Sequence, residues 1–183
     1  MTEHRALAGA QMDAAAAMGG GLVLGAVGME SLYRFECFDA DGNIRWFEEV
    51  KNLVTNEGLN DLLGKYFKGA SYTAAFYLGL KGAGTPASAD TLASHSGWAE
   101  VTAYSGNRQA ITLGSVSGQS VSNSGEVNSF SINGTATVAG GFLCTAASGT
   151  SGVLYGVADF GSSRSVLSGD VLNVTCTLTS ASA

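Results

Sequence analysis

The chain has 183 residues, 45% of them apolar and only 13% charged, with 26 glycines, a single proline and a formal net charge of −6. The charged share is about half of the roughly 25% usual in soluble domains, yet the apolar content is enough to collapse, which excludes charge-rich disorder. Net acidity with scattered Lys and Arg argues against nucleic acid as the principal partner, since phosphate binding needs clustered cations.

The run Ala14 to Met29, AAAAMGGGLVLGAVGM, carries no charge. It is shorter than the roughly 18–20 residues of a spanning helix, and its glycines weaken helix formation. Glu3 and Asp13 precede it, which opposes a signal peptide. Residues 1–31 are therefore expected to form an extended N-terminal arm. With few large side chains to fix it on its own domain, it is expected to lie against another molecule or along a subunit seam, through Leu22, Val23, Leu24, Val27 and Met29, the alternative being an arm folded back on its own domain.

From Leu32 the pattern turns to period two. Tyr33, Phe35 and Cys37 alternate with Arg34 and Glu36, Asp39 to Asn43 supplies turn chemistry, and Ile44 to Val50 returns, predicting a hairpin over 32–50. Thr55 or Asn56 then caps a helix over about 56–68. Leu59, Leu62, Leu63, Tyr66 and Phe67 form one apolar stripe, expected to pack on the core.

Strands are expected from residue 74 on, starting with Ala74 to Leu80. Residues 81–97 form a polar loop holding Pro86. Further short alternating runs follow at Ile111–Val116, Val127–Asn133, Ala136–Ala146, Gly152–Phe160 and Asp170–Leu178. Beyond Arg108 the charged residues are Glu126, Asp159, Arg164 and Asp170. Short strands between Ser, Gly and Asn turns predict a mainly β, β-sandwich or jelly-roll-like domain over 32–183, with one short amphipathic helix.

No constellation for chemistry accompanies this pattern. Cys37, Cys144 and Cys176 sit in apolar or alternating stretches and read as buried free thiols. His95 has no nucleophile signature near it. Asp39, Asp41 and Asn43 resemble the start of a calcium loop, but Val50 stands where Glu is needed, so a hairpin turn is expected instead. No catalytic residue, metal ligand or cofactor is expected. Trp46, Trp98 and Tyr104 are the rings able to stack on sugars, Trp98 and Tyr104 being the candidate glycan contacts of an alternative, receptor-binding reading.

The block YRFECFDADGNIRWFEEVKNLVTNEGLNDLLGKYFKG, the FYLGL strand, the GWAEVTAY segment and the late GVLYGVADF strand resemble tailed-bacteriophage virion structural proteins. The resemblance covers Leu32 to Ala183 and is strongest at Asn52–Leu63 and Gly97–Tyr104. It implies a non-enzymatic capsid decoration, or cement, protein on the capsid surface of the virion, assembled in the bacterial host cytoplasm. Its implied partners are its own copies, as a homotrimer, and the major capsid protein, with no nucleic acid and no membrane. The alternatives are a tail fibre, spike or baseplate component, or a carbohydrate-binding module.

Overall fold

The computed structural model describes residues 27–72 and 75–182. Leu22, Val23 and Leu24, and the rest of the expected arm before Val27, lie outside the described residues. The elements in chain order are β1 (Val27–Phe38), β2 (Ile44–Val54), α1 (Asn56–Phe67), β3 (Tyr77–Gly84), β4 (Trp98–Val101) and β5 (Gln109–Ala110). They continue with β6 (Ser120–Ser122), β7 (Asn128–Ser131), β8 (Ala136–Cys144), β9 (Leu154–Val166) and β10 (Val171–Ser182). The domain is mainly β, with one short helix.

The strands follow the order β4-β3-β8-β9-β2-β1-β10-β6, with β5 on β3 and β7 on β10. All these pairings are antiparallel. One strand makes this a sandwich. β2 pairs with β1 up to Lys51 and then, from Asn52 to Val54, with Ala158 to Gly156 of β9. At the crossing β1 loses its partner, and the Asn52 side-chain oxygen accepts the Ser31 backbone N–H at 3.0 Å in its place. A Cβ on Gly156 would lie 2.2 Å from the Asn52 amide nitrogen, so a larger residue there would displace the side chain that holds Ser31.

The hairpin begins earlier than the alternation indicates. β1 starts at Val27 rather than Leu32 because it pairs along its whole length with β10, from Val27 opposite Ser182 to Phe38 opposite Val171. At the other end, Asp39 accepts the N–H groups of Asp41 at 3.0 Å and Asn43 at 2.8 Å, closing the turn.

The core lies between the two sheets. Tyr33, Phe35 and Cys37 of β1 and Leu172, Val174 and Cys176 of β10 meet Leu78, Leu80, Val138, Ala158 and Phe160 of the other sheet. Phe35 and Phe160 pack edge to face with centroids 4.8 Å apart. Burying each such ring contributes about 1.5–3 kcal/mol. A second cluster joins Leu92, Trp98, Phe142, Cys144, Leu154 and Val157. Together the two clusters bury β8 from Val138 to Cys144 without alternation, as expected of a strand covered on both faces.

Residues Ile111 to Val116, expected to be a strand, are not one. The strand is the short β5 just before them, and Ile111 and Gly114 bond singly, to the Phe76 carbonyl at 3.0 Å and the Ser122 carbonyl at 2.9 Å. Lys81 is fully buried and satisfied: its ammonium donates to the Gly82 and Gly84 carbonyls at 3.0 and 2.6 Å and to Asp159 at 2.5 Å. Cys37, Cys144 and Cys176 are buried free thiols.

Candidate interaction surface

The most unusual surface is built on α1. Thr55 caps the helix, its hydroxyl accepting the Gly58 N–H at 3.1 Å and donating to the Leu154 carbonyl. This is the residue type a helix start prefers, because it satisfies an otherwise orphaned N–H. Glu57 accepts the backbone N–H groups of Leu154 at 2.7 Å and Leu92 at 3.1 Å. The Asn56 N–H donates to the Ser88 carbonyl at 2.8 Å and the Thr55 N–H to the Tyr155 carbonyl at 3.2 Å. The first turn is thus fastened to β9 and to the β3–β4 connection.

Gly58 is the buried residue of the helix. A Cβ there would lie 2.5 Å from the Tyr155 carbonyl oxygen, so glycine lets the helix backbone touch the strand. Gly58, Asp61, Leu62 and Lys65 share one helical face by their i, i+3, i+4, i+7 spacing. Asp61 and Lys65 on it form an ion pair at 2.9 Å.

That contact turns the apolar stripe away from the core. Leu59 and Leu63 are 39% and 53% exposed, and Tyr66 and Phe67 are 79% and 72% exposed. The expectation that this stripe packs on the core is therefore corrected: the sheet takes the glycine side with Leu62 half-buried beside it, and Leu59, Leu63, Tyr66 and Phe67 face out. Tyr66 and Phe67 meet edge to face at 5.0 Å, and Tyr72, just past the helix, is 77% exposed. Beside them an open groove of about 160 Å³ runs between Leu62, Tyr66, Tyr72, Phe76 and Tyr155. A helix with its half-buried side partly ionic and its apolar side in water is the candidate interaction surface of the domain.

The other expected site residues lie elsewhere. Val27 and Met29 are strand residues of β1, opposite Ser182 and Ser180, within the sheet and not on a separate arm. Trp98 and Tyr104, the candidate glycan contacts, are 5% and 4% exposed. The Trp98 indole N–H donates to Asp90 at 2.9 Å, and its ring stacks on His95 at 4.0 Å. Tyr104 packs edge to face on Phe130 at 4.9 Å. Neither ring offers an open face on which a sugar can stack.

His95 is likewise engaged locally, its Nδ1 lying 3.2 Å from the Trp98 carbonyl oxygen. Arg108 is held by a forked pair with Glu100 at 2.9 and 2.7 Å and donates to the Ala146 carbonyl at 3.1 Å. Among the described residues, no three His, Cys, Asp or Glu side chains gather as a metal site.

The surface was partly visible in the sequence. The period of the stripe defines its width, but Gly58 at the start of the opposite face is the signal for which side meets the sheet.

No curated protein matches the chain. A family model, described as podophage GP4 fiber I protein gp80, matches residues 54–180. The match runs from the end of β2 through α1 and nearly all of β10, taking in the exposed helix and most of the sandwich. The chain therefore belongs to the podophage GP4 fiber I protein gp80 family and is a structural protein of the bacteriophage virion.

Proposed function

We propose that the chain is a structural subunit of the podophage fibre apparatus, working through protein–protein contact rather than catalysis. The observation that carries this reading is the family match over residues 54–180, whose description names a fibre rather than a shell protein. It supports the tail-fibre alternative better than capsid decoration with the major capsid protein as partner. The surface chemistry suits either place: hydroxyl-bearing strands with few charges cost less to desolvate on assembly than Lys or Glu. Copies associate with one another, a trimer being the expected state.

Quantitative mass spectrometry of purified virions tests the reading. A fibre subunit gives a copy number far below that of the major capsid protein. A copy number comparable to that of the major capsid protein overturns it.

A further inference from the structure

The start of β1 is an open sheet edge, and its hydrogen-bonding groups match those of a second copy of itself. We propose that two copies of the chain join β1 to β1 antiparallel, with Val27 of each opposite Met29 of the other. The contact is two-fold, so it is separate from the three-fold association of the expected trimer, and it does not depend on the fibre reading.

The first observation is the direction of the backbone groups. β10 lies along one side of β1 from Val27 to Phe38, whereas β2 lies along the other side only from Leu32 on. The Ser31 N–H points to the β2 side, where the Asn52 side-chain oxygen takes it at 3.0 Å. Successive residues of a strand direct their N–H and C=O groups to alternate sides, so Met29 and Val27 face the same way as Ser31. β10 agrees: the N–H of Ser180, opposite Met29, turns away from β1 to the Gln119 carbonyl at 2.9 Å. Among the described residues, no strand pairs with Val27 or Met29 on the β2 side. Such an edge is a template for another strand.

The second is register. In an antiparallel ladder the two residues of a hydrogen-bonded pair exchange both bonds. Pairing centred on Gly28 sets Val27 of each copy opposite Met29 of the other, which uses the open groups of both residues. Pairing centred on Met29 would set Val27 opposite Ser31, whose N–H Asn52 already holds. The edge is thus self-complementary about Gly28, as a two-fold contact between identical patches requires.

The third is that this edge lacks the usual guards. Exposed edges are commonly blocked by a proline, a bulge or a charge. Val27, Gly28 and Met29 supply none of these, and the pairing with β10 runs unbroken from Val27 to Phe38. Glu30 is paired with Lys51 at 2.9 Å. In the Gly28-centred register the two Glu30 residues are offset along the strands by about 13 Å, so like charges do not meet. Gly28 is exposed and brings no side chain to the seam.

The test places a cysteine at the two-fold centre of the full chain. Gly28 opposite Gly28 is a non-hydrogen-bonded pair, with Cα atoms about 4.5 Å apart, inside the roughly 4.4–6.8 Å that a disulfide spans. A Cβ on Gly28 meets only the Ala181 carbonyl oxygen, at 3.8 Å, so Gly28→Cys fits the fold. The native Cys37, Cys144 and Cys176 are buried, and the wild-type chain serves as the blank. Under mild air oxidation, Gly28→Cys is expected to give a disulfide-linked species of double-chain mass, and Glu30→Cys at least tenfold less. Adding Met29→Pro to Gly28→Cys removes an N–H that β10 does not use, and is expected to lower the linked yield at least tenfold. Absence of a linked species from Gly28→Cys overturns the proposal. Equal yields from Gly28→Cys and Glu30→Cys, or a yield unchanged by Met29→Pro, overturn it as well.

Discussion

The Glu57 carboxylate accepts the Leu154 backbone N–H at 2.7 Å, tying the first turn of α1 to the start of β9. The same oxygen takes the Leu92 N–H at 3.1 Å, so one side chain joins the helix, the strand and the β3–β4 connection. Its charge also lies in the first helical turn, where the helix dipole favours an anion. Removing it by Glu57→Ala orphans two backbone donors, and a loss of about 2–3 kcal/mol is expected in urea unfolding. Glu57→Gln keeps an acceptor and loses only the charge assistance, about 1 kcal/mol.

The approach of α1 to Tyr155 gives a paired test. In Gly58→Ala the new Cβ lies 2.5 Å from the Tyr155 carbonyl oxygen, and backbone must move to admit it. A cost of about 1–3 kcal/mol is expected. Gly64 lies in the same helix with nothing within 4 Å of its Cβ position. Gly64→Ala is expected to stabilise by about 0.5–1 kcal/mol. Equal effects from the two changes contradict the placement of the helix.

Arg108 holds the region before β5 through geometry rather than charge alone. Its fork on Glu100, its bond to the Ala146 carbonyl and its position 5.2 Å from the Phe142 ring use the planar guanidinium on several sides. Lysine keeps the charge but not the fork. Arg108→Lys is expected to cost about 1–3 kcal/mol in thermal unfolding, and a neutral result contradicts the role assigned to the fork.

Alkaline pH is expected to destabilise the fold. Burial, with the Asp170 carboxylate adding to it, pushes the Cys37 thiol up to about 12. Burial alone raises Cys176 to about 12, and Tyr104 reaches about 12 through burial and the nearby Glu100. In the unfolded chain these groups lose protons near their ordinary values, about 8.5 for Cys and 10 for Tyr. Above about pH 9 the native state therefore holds more protons than the unfolded state, and stability falls as pH rises toward 12. The unfolding temperature is expected to decline across that window, with a shallower slope in Cys176→Ala. A thiol reagent at about pH 8 is expected to leave the native chain unlabelled and to label all three cysteines after denaturation.

The sequence reveals those elements whose side chains repeat in step with the backbone. Tyr33, Phe35 and Cys37 announce β1, and Leu172, Val174 and Cys176 announce β10, because each packs one face on the core. The start of β1 is hidden because Gly28 has no side chain and Ser31, though 2% exposed, is small and polar. The run from Val138 to Cys144 does not alternate, since clusters cover that strand on both sides. The helix is legible in period but not in orientation. A stripe such as Leu59, Leu63, Tyr66 and Phe67 meets the core in most amphipathic helices, and here Gly58 makes the contact instead. Trp98 and Tyr104 have the composition of a sugar platform, and only their burial shows that they are packing residues.

The most direct test of the account is a cryo-EM map of the virion that places this chain. The account predicts the β sandwich in the fibre apparatus, with the Leu63, Tyr66 and Phe67 face of α1 covered by protein. A sandwich found across the head shell, or a fibre-bound copy with that face open to solvent, contradicts it.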